Sequence, residues 1–142
     1  MFLIYRISHL IWHLHLYTLA RLISNLNRFL FKIDIHPEAK IANTVKFPSK
    51  YGIVIGSSAV IKDHCVIHQN VTLGNNGKDL GSKRHPTVEE NVIIYPNAKL
   101  LGPIVVGHHT IVEAGCVYNR NIESYSYVKN IKEIYHFNKN SY

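Results

Sequence analysis

The sequence predicts a mainly β chain, wound as a parallel β-helix behind a short α-helical cap. Aliphatic residues recur every six positions from Ile35 onward, a period that fits neither the 3.6 of a helix nor simple strand alternation. The fourth place of the hexads holds His64, Asn70, Asn91, Asn97, His109 and Gly115, residue types suited to a backbone that turns through the left-handed region. Finally, 142 residues with 46% hydrophobic content suit one folded domain and exclude wholesale disorder.

The elements follow in chain order. Residues 1–33 read as an amphipathic helix or helix pair over something apolar. Arg6, Arg21 and Arg28 interrupt the apolar character, and the longest uncharged run is about fourteen residues with three His inside, too short to span a bilayer. No basic leader or small-residue cleavage site is seen. Residues 34–123 form the ladder, with Ile35, Ile41 and Phe47 leading its first hexads. A two-residue slip at "KFPSKYGIVIG" precedes Ile55, Ile61, Ile67 and Leu73. A loop over residues 74–87 precedes Val88, Ile94, Leu100, Val106, Val112 and Tyr118. Fifth places such as Ala39, Cys65, Ala98 and Cys116 should also point inward. Open solenoid ends invite edge pairing. The N-terminal helices are therefore expected to cover one end, and the tail 124–142 to cover the other or pack alongside.

The charge of +7 and pI near 9.5 suit an anionic ligand or surface, but the basic residues are scattered and no nucleic-acid-binding signature accompanies them. Nucleic acid is not expected as a partner. Cys65 and Cys116 show neither disulfide nor zinc spacing. No metal is expected at His64, Cys65 and His68, because Cys65 should face inward and His68 outward. Most of the remaining His residues read as structural. His36 belongs to a tight turn before Pro37, while His9, His13 and His15 lie in the cap.

Two blocks then carry a family likeness. "KIDIHPEAKI" with "GIVIGSSAVIKDHCVIHQNVTLG", followed by "GKDLGSKRHPTV", resembles the serine O-acetyltransferase branch of the hexapeptide acyltransferases. The upstream "YRISHLIW" resembles the end of that family's helical region, so the likeness runs from Tyr5 to about Ile122. It implies a left-handed β-helix, homotrimers with active sites between subunits, and acetyl transfer from acetyl-CoA to a hydroxyl. It further implies a His that removes the hydroxyl proton and an Asp that orients that His. Asp34 matches the family's Asp, and Arg84 with His85 match its acceptor-contacting pair.

The family's catalytic His falls at Ser49, fifteen places after Asp34, where a hydroxyl is far too weak a base. Coil stacking nominates His68 as the replacement, since Phe47 should lie under Ile67 and hence Pro48 under His68, with Tyr95 above. His85 is the second choice, within a loop long enough to be functional. Lys78 and Lys83 of that loop, with Arg84, are placed to hold acetyl-CoA phosphates or an anionic acceptor. Asp34 is expected to pair with His36, Arg84 or a backbone donor. Pro96, Asn97, Ala114 and Gly115 match the cofactor side, where Tyr95 adds bulk.

The chain departs from the family in its shorter helical region and in lacking the C-terminal Gly-x-Pro-Ala-like turn. It ends at Tyr142 rather than in the tail that docks cysteine synthase, so that partner is not expected. The reading is a cytoplasmic acetyl-CoA-dependent O-acetyltransferase, with membrane-peripheral contact through the helices left open. Its acceptor is a sugar or polysaccharide precursor, or L-serine. The alternative is a catalytically silent trimeric β-helix that binds CoA or scaffolds a partner.

Overall fold

The computed structural model describes residues 1–78, 81–130 and 133–136. Two helices, α1 (Phe2–His13) and α2 (Tyr17–Phe31), precede a left-handed parallel β-helix. Its first coil holds β1 (Asp34–Ile35), β2 (Lys40–Ile41) and a single bridge at Lys46. Then come β3 (Val54–Ile55), β4 (Val60–Ile61) and β5 (Val66–Ile67), followed by β6 (Thr72–Gly74), β7 (Thr87–Val88) and β8 (Ile93–Ile94). The next coil is β9 (Lys99–Leu101), β10 (Val105–Val106) and β11 (Ile111–Val112), and the last begins at β12 (Val117–Tyr118). Strands one coil apart pair in parallel and build three sheets, β1-β3-β6-β9-β12, β2-β4-β7-β10, and one that starts β5-β8-β11.

Strands of two or three residues hold together because their inward side chains stack in register. Ile35, Ile55, Leu73, Leu100 and Tyr118 form one column through the successive pairings of the first sheet. Ile41, Ile61, Val88 and Val106 form the second, and Phe47, Ile67, Ile94 and Val112 the third. All of them are buried, as are Ala39, Cys65, Ala98 and Cys116 from the fifth places. Each full rung so removes three large apolar side chains from water, at roughly 1.5–3 kcal/mol apiece.

The corners follow one rule. His64, Asn70, Asn91, Asn97, His109 and Gly115 all have φ between 56° and 74°, as their hexad place predicts. At most of these corners the N–H reaches the carbonyl one coil below, Asn91 to Asp63, Asn97 to Gln69, His109 to Glu90 and Gly115 to Pro96, while that of His64 reaches Thr44 Oγ1. Left-handed geometry thus aims an otherwise stranded donor at the neighbouring turn.

The helices cover the first coil as expected, and they do so with side-chain donors. Tyr5 Oη donates to the Ala39 carbonyl at 2.6 Å, Arg6 to Ile41 at 3.0 Å, His9 to Pro37 at 2.6 Å and Ser24 to Ile35 at 2.8 Å. These are the edge carbonyls that an uncovered coil would expose to another chain. Burial pushes the Tyr5 hydroxyl up to about 12, so it stays a donor at any physiological pH. Tyr5→Phe keeps the ring but strands the Ala39 carbonyl, and should lower unfolding free energy by about 1–3 kcal/mol in urea titrations.

At the other end the coil continues past residue 123. β13 (Ser126–Asn130) pairs in parallel with β11, and Val128 stacks on Val112 inside the core. β14 (Glu133–His136) then pairs antiparallel with β13. Val128 keeps the spacing of six from Ile122, but Tyr125 takes the left-handed corner at φ 58°, a residue type that gives no such signal in sequence. The rest of the expected tail lies outside the described residues. Among the described residues, no helix is long and apolar enough to cross a membrane.

Candidate active site

A groove opens where α2 lies across the first sheet. Arg21, Ser24, Asn25 and Arg28 line it from the helix, Asp34 and His36 from the first coil, Val54 to Ser57 from the second, and Arg84 and His85 from the loop. The structure therefore joins Asp34 to the Arg84–His85 pair, which lies far along the chain from it.

His85 is buried on entering this groove, and one serine seats it. Ser58 Oγ accepts the backbone N–H of Arg84 at 2.9 Å and of His85 at 3.1 Å. The Ser58 backbone N–H donates to His85 Nδ1 at 3.2 Å, and its hydroxyl lies 2.9 Å from the same atom. Lys83 Nζ closes the clamp on the Ser58 carbonyl at 2.6 Å. The ring rests flat on Gly56, where a β-carbon would stand 2.0 Å from Cδ2 and 2.1 Å from Nε2. With Nδ1 accepting, neutral His85 carries its proton on Nε2. It is built to donate, not to receive.

His36 has the same polarity, since its Nδ1 accepts the Glu38 backbone N–H at 3.1 Å. Burial lowers the pKa of both rings. Arg21 depresses His36 next, and Arg84 with Lys83 depress His85. Both therefore stay neutral to lower pH in the folded chain than in the unfolded one, which takes up protons as pH falls through the ordinary His value near 6.5. Stability is thus full above about pH 7.5 and should decline as pH drops below 6.5. Urea midpoints at pH 7.5 and 5.5 measure the loss, and His85→Gln should shrink it.

Asp34 finds a partner that the sequence did not suggest. Arg28 Nη1 stands 3.6 Å from Asp34 Oδ2, both side chains being about half exposed or more. The described ion pair is neither with His36 nor with Arg84, because α2 crosses directly over β1 and delivers Arg28 first. An exposed pair of this kind is worth at most about 1 kcal/mol, so a ligand can replace it.

His68 is elsewhere. It ends the third face of its coil, one rung above Pro48, as the Lys46–Val66 bridge requires. Its ring stacks on Tyr95 at 5.0 Å between centroids. His68 Nδ1 lies 3.0 Å from the Ile94 carbonyl. A carbonyl only accepts, so Nδ1 donates and Nε2 keeps its lone pair. Within one chain no described contact joins His68 to Asp34 or His85. It belongs instead to the column of expected cofactor positions, where Pro96 and Asn97 form the corner beside Tyr95, and the Gly115 N–H donates to the Pro96 carbonyl at 2.9 Å. Ala114 lines a shallow concavity with Tyr95, Glu113 and Tyr127. Ser49 is exposed in the slipped corner.

The loop lysines divide. Lys83 is held at Ser58 and lines a separate hollow with Glu38 and Lys40. Lys78 is exposed, its backbone N–H donating to Asn76 Oδ1 at 3.0 Å. Neither meets the Pro96 and Ala114 column in one chain. The Cys65 thiol is buried, pushed up to about 11 by burial, and donates to the Glu89 carbonyl at 2.9 Å, so it packs rather than reacts.

Sequence reading missed Arg21, Arg28 and Ser58. A signal for the first two existed: Arg21, Ser24, Asn25 and Arg28 fall at i, i+3, i+4 and i+7, a polar stripe on an otherwise apolar helix. Ser58 carries no such mark.

The bacterial transferase hexapeptide family (six repeats) matches residues 85–117. The serine acetyltransferase of Synechococcus elongatus is 39% identical over 120 residues, covering 84% of this chain and 49% of that protein. That of Bacillus subtilis is 39% identical over 127 residues, covering 89% and 58%. Among solved structures, a serine acetyltransferase from Vibrio cholerae superposes with TM-score 0.88 at 35% identity, over 92% of this chain and 51% of that one. A serine acetyltransferase in complex with CoA gives TM-score 0.80 at 38% identity, over 87% and 50%. The chain spans about half the length of these relatives.

Proposed function

This chain belongs to the hexapeptide-repeat acyltransferases, in their serine acetyltransferase-like branch, and on that premise we propose that it transfers acetyl from acetyl-CoA to a hydroxyl, on L-serine or on a sugar or polysaccharide precursor. The observation that carries the proposal is the division of labour between its imidazoles. His85, in the groove with Asp34 and Arg84, has Nδ1 committed to Ser58 and offers an N–H. His68, beside the cofactor-side corners, has no partner at Nε2 among the described residues.

Acyl transfer needs both kinds of group. His68 Nε2 takes the acceptor's hydroxyl proton while that oxygen attacks the thioester carbonyl. When the C–S bond breaks, the same proton goes to the departing CoA sulfur, so His68 ends neutral. Arg84 and the His85 N–H hold the acceptor in place, as attack geometry demands. In this proposal the acceptor groove of one subunit meets the His68 column of a neighbour in a homotrimer, since a single chain keeps them apart.

Ser49 in the place of the family's base favours a second reading, a silent β-helix that binds CoA or a partner without turnover. Thiol release from acetyl-CoA, measured with L-serine, free sugars, sugar phosphates and nucleotide sugars, separates the two. Acceptor-dependent release is expected. Its absence in a folded oligomer at high protein concentration would favour the silent reading.

A further inference from the structure

The groove is overwhelmingly a donor surface. Among the described residues, Arg21, Arg28 and Arg84 face it against one carboxylate, Asp34, an excess of two positive charges. His36 and His85, whose Nδ1 atoms are spent on backbone N–H groups, can only donate from their free nitrogens while neutral. Burial is the main cause of the lowered pKa of both rings; Arg21 and Arg84 add to it at His36, against Glu38 and Asp34, and Arg84 adds to it at His85. A free amino acid would add an ammonium to this field, with Asp34 the one described carboxylate lining the groove to receive it. A neutral sugar would leave the arginines unmatched.

We propose that the groove recognises a phosphate carried by the hydroxyl acceptor, with Arg21 and Arg28 of α2 forming its seat beside Arg84. A cavity of about 270 Å³ lies just below the usual range for drug-sized ligands, which suits one phosphorylated sugar unit rather than an oligosaccharide. Phosphate and guanidinium match in charge and in fork geometry. The Asp34–Arg28 contact, being exposed and weak, yields to the stronger anion. This inference rests on the acetyl-transfer reading for the identity of the groove as the acceptor site, but phosphate binding is measurable without turnover.

The test is calorimetry on the full chain with glucose 1-phosphate, glucose, L-serine, inorganic phosphate and CoA. Both arginines are solvent-exposed on α2, so R21Q/R28Q should fold, which circular dichroism and thermal melting would verify. Glucose 1-phosphate is expected to bind, inorganic phosphate to compete with it, and R21Q/R28Q to weaken it by about 10- to 100-fold, the range for hydrogen bonds to charged groups. Three results would overturn the proposal: glucose or L-serine binding as tightly as glucose 1-phosphate, full affinity retained in the double variant, or CoA weakened as much as the sugar phosphate. The last would assign the seat to the cofactor's own phosphates. Failure of acetyl transfer with these affinities intact would count against the enzymatic reading alone.

Discussion

Replacing His68 by alanine is expected to lower kcat by about two to four orders of magnitude, the range for loss of a general base, while KM for the acceptor changes little. The reason is a tautomer. The Ile94 carbonyl, 3.0 Å from Nδ1, fixes the proton there and leaves Nε2 able to receive one, and stacking on Tyr95 holds the ring plane. A packing role alone would be met by His68→Phe, so the diagnostic is an equal drop in kcat in that variant. An unchanged rate would eliminate His68 as the base. The converse variant, Ser49→His, restores an imidazole at the family's position. A gain in kcat there, larger in the His68→Ala background than in the wild type, would show two residues sharing one duty.

Gly56→Ala should produce the second large effect, and on the other half of the reaction. Its β-carbon would stand 2.0 Å from His85 Cδ2, so the ring must leave its seat. The backbone of Gly56 has no left-handed φ, and alanine there is not itself strained. The expected result is a fall of about 100-fold in kcat/KM for the acceptor, comparable with misplacing a positioning group by about 1 Å, with KM for acetyl-CoA unaltered. In a His85→Ala background the same substitution should cost almost nothing further, since its target is gone. An equal loss in both backgrounds would show that Gly56 acts through the coil and not through His85.

Most of the fold was legible because the β-helix repeats one local solution. Ile67 and Ile94 lie in one column for the same reason that they share a hexad place, and Asn70 and Asn97 both turn through positive φ because asparagine tolerates it. The stacking of His68 between Pro48 and Tyr95 followed by counting. Legibility failed where the repeat does not govern. Tyr125 occupies a left-handed corner with a side chain that does not announce one, so the coil was expected to stop at residue 123 although Val128 still packs in its core. Arg28 pairs with Asp34 only because a helix crosses a sheet, and sequence spacing says nothing about which helical residues arrive over which strand.

By itself the sequence determined the coil, its corners and its helical cover, because each is a matter of residue type at a fixed period. Tertiary structure decided the rest: which side chains share a groove, that three arginines and one aspartate meet there, and which ring nitrogen of His68 and of His85 holds the proton. The physical reason is that proton placement and local charge depend on hydrogen-bond partners far away in the chain. Those partners become neighbours only when the coils stack and the helices close over them.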